Sequence, residues 1–330
     1  MRFGPVPVKE AAGALLAHSI DLPGGKLPKG RLLSEAECAA LEAAGLESVI
    51  VARLDPSDLH EDAAAAQIAA SLVPDSAGQN LSVTGAATGR VNLYATVAGV
   101  AQIDVAAIGQ LNSVNPLITL ATVPEWFRTD PRTMIATVKI IAYGVPQQDV
   151  DQAAAAARRA IAVRPVVWQT ATLIETMIDA DIPSDKGRKA IHGRLHRMGV
   201  ALTERCLVPH RADDIAAAIQ AAPGQMVLIL TASATSDPQD VAPSGLRLAG
   251  GRVERFGMPV DPGNLLFHGD YQGRPVIGLP GCARSPALNG ADWVLERLLC
   301  GVAVTAEDIA AMGVGGLLKE IPTRPSPREG

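Results

Sequence analysis

From residue 164 onward, short apolar runs alternate with segments of helical pattern, and that alternation restricts the chain to one class of fold. RPVVWQTA reads as a strand and SDKGRKAIHGRLHRMG as a helix that stops at Gly199. ALTERCLVP reads as the next strand, RADDIAAAIQAA as a helix opened by acidic residues, and GQMVLILTAS as a wholly apolar strand. GRPVIGLPG and the helix LNGADWVLERLLCG complete the series. Strands separated by helices of ~10–15 residues pair in parallel, with the crossover helices covering both faces of the sheet. The prediction is an α/β fold: a doubly wound, mostly parallel sheet over residues 163–308, preceded by smaller α+β N-terminal regions.

Upstream the pattern is more mixed. Ser34 and Glu37 stand at capping-box spacing, which predicts a helix through Ala43, a stop at Gly45 and a strand in SVIVARL. Residues 1–60 therefore read as a small α+β segment. Residues 61–162 read as a mixed α/β region that opens with an Ala-rich helix and closes with the connector helix QQDVDQAAAAARRAIA. Residues 309–330 read as a Pro-rich, polar tail.

Composition narrows the function. Charged residues are 19% of the chain and hydrophobic ones 48%, so it can bury a core in each domain; aromatics are only 3%, so those cores are built from Ala, Val, Leu and Ile. With 34 acidic and 29 basic residues and no basic cluster, no nucleic-acid partner is expected. No apolar run reaches the ~18–20 residues of a membrane span. The N-terminus carries Glu10 and no signal-peptide pattern, so a cytoplasmic location is expected. Cys38, Cys206, Cys282 and Cys300 are far apart and form no metal-binding spacing.

In a parallel sheet, ligands bind beyond the carboxyl ends of the strands. TASATSDPQD (231–240) supplies the hydroxyls of Thr231, Ser233, Thr235 and Ser236 and the carboxylates of Asp237 and Asp240. Hydroxyls and backbone N–H groups suit an oxyanion, and carboxylates suit a cation that bridges to it; an Asx- and Ser/Thr-rich turn is the alternative. GMPVDPGNLLFHG (257–269) reads as an irregular loop with Asp261 and Asn264 between its prolines and glycines. In GLPGCARSP (278–286), Gly281 allows close backbone approach, and Arg284 and Ser285 can hold an anion. His210, Asp213 and Asp214 end one strand and open a helix, where the aspartates favour the helix dipole. Cys282 lies in no GxSxG-like elbow, and the His192–His196 pair lacks the glutamate of HExxH, so both read as structural or solvated.

At these loops the chain resembles the molybdopterin-binding domain of molybdenum-cofactor biosynthesis proteins, the molybdopterin molybdenumtransferases above all. The matching stretches are Thr231 to Asp240, Gly257-Met258-Pro259-Val260-Asp261-Pro262-Gly263, and Gly278-Leu279-Pro280-Gly281-Cys282-Ala283-Arg284-Ser285, within a resemblance covering about residues 163–305. KLPKGRLLSEAECAALEAAGLESVIV is similar to a segment of the same family's other domains. The departures mark a divergent branch. Ser233-Ala234 replaces a Gly-Gly pair, Cys282-Ala283 replaces Asn-Pro, and Asp261 and Asn264 stand where the family carries lysines. The family's Ser-Thr-Gly-Asp-Glu strand-end motif reads Gln169-Thr170-Ala171-Thr172 here.

The resemblance implies binding of molybdopterin, or its adenylylated form, and insertion of molybdate with Mg²⁺. By position, Asp240 would be the metal or acid group, with Asp237 second. Thr231, Ser233, Thr235 and Ser236 would hold phosphate; Gly257, Pro259, Asp261, Pro262 and Gly263 would shape one wall. Pro280, Gly281, Arg284 and Ser285 would form the wall opposite, and Asp213 or Asp214 would close the pterin end. It also implies a homo-oligomer, with a molybdoenzyme or a nucleotidyltransferase as partner. The missing Gly-Gly pair and lysines favour the alternative, a non-catalytic cofactor carrier or insertion partner.

Overall fold

The computed structural model describes residues 1–179 and 182–318. The chain forms two compact units, one of residues 1–97 and 101–163, the other of residues 98–100 and 164 onward.

The first unit holds two cores. In the N-terminal one, Arg2–Pro7, Ser48–Arg53 and Leu15–Leu16 form a three-stranded sheet with the Ser48–Arg53 strand central and both its pairings antiparallel. Ser34 caps the helix Glu35–Ala43: its side chain accepts from the Glu37 N–H, and the Glu37 carboxylate accepts from the Ser34 N–H at 2.8 Å. Val8, Leu16, Leu33, Leu41, Val49 and Val51 fill the space between. In the second core an antiparallel sheet runs in the order Ile118–Thr122, Met134–Ile140, Arg90–Ala95, Leu81–Val83. Against it lie the helices Glu61–Leu72 and Gln147–Ala156. They pack through Ala64, Ala65, Ala69 and Ala153, small side chains that let helices approach closely where aromatics are scarce.

The second unit is built on one mixed sheet. From one edge its strands run Ala201–Leu202, Thr170–Met177, Met226–Leu230, Arg274–Gly278, Phe267–Tyr271 and Arg252–Phe256, with Cys206–Pro209 also pairing with Thr170–Met177. The pairings from Ala201–Leu202 to Arg274–Gly278 are parallel, and the last two are antiparallel. The fold is thus α/β with a parallel-rich sheet, in line with the sequence reading, and it carries two antiparallel strands at this edge. The cause is local. Tyr271 pairs with Arg274, leaving only Gln272 and Gly273 between them, at φ 52° and 80°. A two-residue turn with both φ positive makes an antiparallel hairpin, whereas a parallel connection needs a crossover of a dozen residues or more.

Two further strand boundaries differ from the reading. Ile161–Pro165 is a strand of its own, and the sheet strand begins only at Thr170. Gln169–Thr172 therefore lies at the start of that strand, not at its carboxyl end. The loop read over 257–269 gives way to strand at Phe267. Gly278 faces the ring of Phe267; a Cβ there would stand 1.9 Å from the ring's Cε1, so only glycine fits.

Side chains alternate across the sheet. Ile174, Val227, Ile229, Phe267 and Val276 pack with the helices Ala212–Ala221 and Val241–Leu248. On the opposite face, Gly187 of the helix Asp185–Arg197 lies against Leu230, and Arg194 of that helix pairs with Asp292 of the helix Gly290–Leu299. The short helix Ala306–Ala311, capped by Thr305, runs into the segment read as a tail from residue 309; residues 319–330 lie outside the described residues. No helix among the described residues is long and apolar enough to cross a membrane.

Candidate ligand cleft at the carboxyl edge of the parallel strands

The path of the chain places a crevice between two neighbouring strands. Thr170–Met177 leads into the helix Asp185–Arg197 on one face, while Met226–Leu230 leads into Val241–Leu248 on the other. Where the connections of adjacent parallel strands part in this way, the carboxyl edge opens. A cleft of about 430 Å³ lies at that point. Ile178, Ile182 and Leu230 give it an apolar wall, and Lys186 and Arg284 give it two cations. The two isoleucines are exposed, Ile178 at 50% and Ile182 at 67%.

A buried ion pair holds the rim in place. Glu175, 2% exposed, takes Arg205 in a two-pronged bridge, with Nε at 2.9 Å from Oε2 and Nη2 at 3.2 Å from Oε1. Arg205 also donates to Asp185 Oδ1 at 2.8 Å and to the Pro183 carbonyl at 2.6 Å. Donating to the Glu175 carboxylate holds the Arg205 guanidinium above its ordinary range. Arg205 thereby fastens the start of the Asp185–Arg197 helix to the sheet and neutralises the carboxylate facing the cleft. The Ser184 side chain makes no capping bond to that helix.

The loop after Met226–Leu230 closes on itself. The Thr231 hydroxyl donates to the Ser233 carbonyl at 2.6 Å and lies 3.3 Å from that of Thr235; both threonines are buried. The Ala232 N–H donates to Thr176 Oγ1 at 2.7 Å, and Thr176 Oγ1 meets His210 Nδ1 at 2.9 Å. Asp240 caps the Val241–Leu248 helix: Oδ1 accepts from the Val241 N–H at 2.6 Å and Oδ2 from the Ser236 N–H at 3.1 Å. Asp237 accepts from the Gln239 N–H at 2.7 Å. Ser233 and Ser236 are exposed.

Beyond Arg274–Gly278, a tight turn over Gly281–Arg284 follows Pro280. The Arg284 guanidinium donates to the Thr231 carbonyl, so the two loops meet at the cleft. Behind them Arg194, 4% exposed, donates at 2.9 Å to each of the carbonyls of Ala283, Ser285 and Ala287 and pairs with Asp292. Ser285 accepts from the Ala287 N–H at 3.3 Å. Cys282 Sγ accepts from Asn289 Nδ2 at 3.0 Å. Burial pushes the Cys38 and Cys206 thiols up and that of Cys300 to about 12, so these three are poor nucleophiles.

The loop of Gly257, Pro259, Asp261, Pro262 and Gly263 sits at the same edge, because Phe267 pairs with Gly278. It braces other segments and does not line the cleft. The Pro262 carbonyl accepts from the Gly290 N–H, and the Asp261 N–H donates to the Gly316 carbonyl, both at 2.8 Å. Asp213 and Asp214 occupy the first turn of Ala212–Ala221, Asp214 lying 3.5 Å from Arg211. Of the residues singled out from sequence, Arg284 lines the cleft and Thr231 reaches it through its carbonyl. Glu175, Ile178, Ile182, Lys186 and Arg205 were not singled out. The start of the sheet strand at Thr170 explains the omission, since it moves the carboxyl end into the segment 175–179.

The carboxylates that the resemblance offers to a resident Mg²⁺ are engaged with the protein, whereas Asp179 stands exposed on the cleft wall. Both Asp240 oxygens already accept main-chain N–H groups, Asp237 is held in a local turn, and Glu175 is taken by Arg205. Among the described residues, no three His, Cys, Asp or Glu side chains gather into a metal site.

A domain family described as a domain of unknown function, DUF8806, matches residues 5–53. No curated protein matches the chain. Among solved structures, the chain is similar to a molybdopterin biosynthesis MoeA protein from Pyrococcus horikoshii, with 14% identity over 91% of this chain and 75% of that one and a TM-score of 0.32. A second MoeA structure from Pyrococcus horikoshii OT3 gives 10% identity, 96% and 75% coverage and a TM-score of 0.24. Likeness at these scores carries no argument about the site.

Proposed function

We propose that the unit beginning at residue 164 binds a small molecule of molybdopterin type, an anionic group joined to a flat ring system, as a step in molybdenum-cofactor biosynthesis. The observation that carries this reading is the cleft itself: Arg284 and Lys186 beside an exposed isoleucine wall, at the point where the connections of two parallel strands part. The cations suit a phosphate and the apolar wall suits the face of a ring. The resemblance of residues 257–263 and 278–285 to the molybdopterin-binding domain supplies the ligand class. Binding is the part of the family's chemistry that these residues support best, because Asp240 is engaged as a helix cap.

Calorimetric titration with molybdopterin and its adenylylated form tests the reading. Arg284 is partly exposed, so removing its charge-assisted contacts is expected at the lower end of their range, about 1.5 kcal/mol, or roughly tenfold in Kd for Arg284→Ala. Absence of binding by either pterin would refute it. Release of AMP on adding molybdate would extend the reading to a molybdenumtransferase, and binding without release would restrict it to a carrier or insertion partner.

A further inference from the structure

A pair of metal-ligating side chains lies outside the cleft. His192 and His196 stand four positions apart on the helix Asp185–Arg197, both on its exposed face. Side chains at that spacing have Cβ atoms about 5–6 Å apart. The two imidazoles lie next to each other, with ring centres 5.7 Å apart and planes 11° from parallel. The opposite face of the helix fixes its backbone: Gly187, Ala190, Ile191, Arg194 and Leu195 are buried, and Arg194 is paired with Asp292. Between the histidines the surface is open, since a Cβ on the exposed Gly193 would meet nothing within 4 Å.

The charges around the pair decide which ion suits it. From Lys186 to Arg197 the helix carries no carboxylate, so it offers nothing to a hard cation that prefers oxygen. Lys189 is exposed one turn before His192 and Arg197 is exposed beside His196, and both repel a cation held by charge alone. Arg188 turns away, donating to the Thr203 carbonyl at 2.6 Å. His196 lies in the last turn, where the negative end of the helix dipole offsets part of that repulsion.

We infer that His192 and His196 together bind one divalent transition metal of the kind that favours imidazole (copper, nickel or zinc), with water completing its coordination. The inference is independent of the pterin reading, because neither histidine lines the cleft. Each neutral imidazole offers one nitrogen lone pair, and a shared metal sits about 2.0–2.1 Å from each nitrogen. The exposed rings reach that arrangement by turning about χ2. The glutamate of HExxH is missing, so the pair binds metal without a general base beside it. Copper should bind more tightly than nickel or zinc. Only the folded helix holds the two rings at this spacing, so the metal stabilises the native chain.

Calorimetric titration of the full chain, free of any affinity tag, with nickel chloride at pH 7.5 is the test. Nickel is the probe because copper oxidises thiols, and Cys206 and Cys282 are partly exposed. The expected result is one nickel per chain, with affinity about tenfold or more weaker in either His192→Ala or His196→Ala, since each variant turns a chelate into a single ligand. Binding should vanish at pH 5, where both imidazoles are protonated. Nickel should also raise the melting temperature of the parent chain and of neither variant. Both side chains are exposed, so the variants keep the parent's melting temperature in the absence of metal. No nickel binding at pH 7.5 would overturn the inference. So would unchanged affinity in both variants, which places the metal elsewhere, or a loss in one variant alone, which leaves a single imidazole as the ligand.

Discussion

Arg194 holds the loop that carries Arg284, and replacing it should cost more than any surface change in this unit. Arg194 and Asp292 are 4% and 3% exposed, and the Arg194 guanidinium also serves the carbonyls of Ala283, Ser285 and Ala287. Arg194→Met removes one partner of a buried pair and leaves Asp292 uncompensated, which costs about 3–5 kcal/mol. Three carbonyls lose a donor as well, but the loop can relax towards water, so the costs do not add in full. We expect about 4 kcal/mol, which for a unit of this size lowers the melting temperature by roughly 10 °C. Urea and thermal denaturation followed by circular dichroism measure it. Arg194→Met combined with Asp292→Asn removes the orphaned charge and should recover at least about 1 kcal/mol of the loss. A single-variant cost below about 1 kcal/mol, or a double variant no more stable than the single, would refute the reasoning.

Other outcomes follow from the same geometry. His268 is 3% exposed and its Nε2 has no hydrogen-bond partner; burial holds its pKa below the ordinary 6.5, with Glu254 opposing weakly. The unfolded chain therefore takes up a proton that the folded chain refuses. Stability should be full above pH ~6.5 and fall towards pH 5 by up to about 1.4 kcal/mol per pH unit, a slope that His268→Leu abolishes in denaturation curves taken across that window. Gly187→Ala places a Cβ 3.0 Å from Leu230 Cδ2 and 3.2 Å from Arg284 Cγ, while a helical glycine gives up about 1 kcal/mol relative to alanine. The melting temperature should change little and molybdopterin affinity should drop severalfold as the Arg284 stem is displaced; an unchanged affinity would contradict the placement of Arg284.

Local signals in the sequence were read well where one short segment decides the structure. The capping box at Ser34 and Glu37, the apolar run of Met226–Leu230 and the acidic start of Ala212–Ala221 each depend on a few neighbours, and each forms the element that its pattern predicts. The cleft depends on pairs remote in sequence. Glu175 interrupts an apolar strand and looks out of place until Arg205, 30 positions on, is seen to pair with it. Arg194 sits among Arg188, Lys189 and Arg197 on one helix, and charge alone does not distinguish it. Its position does: Gly187, Ala190, Ile191, Arg194 and Leu195 form one buried stripe at helical spacing, and an arginine on such a stripe must find a buried partner. The hairpin at Gln272-Gly273 is not legible: its strands Phe267–Tyr271 and Arg274–Gly278 do not alternate apolar with polar residues, and the sequence reading assigns Phe267–Tyr271 no element.

Hydrogen–deuterium exchange of the full chain with and without molybdopterin tests the central claim most directly, because it asks both whether the ligand binds and where. The account predicts ligand-dependent protection in residues 175–179, 182–188, 231–236 and 281–285, lost in Arg284→Ala. Protection confined to residues 257–264, or to residues 1–163, would contradict it.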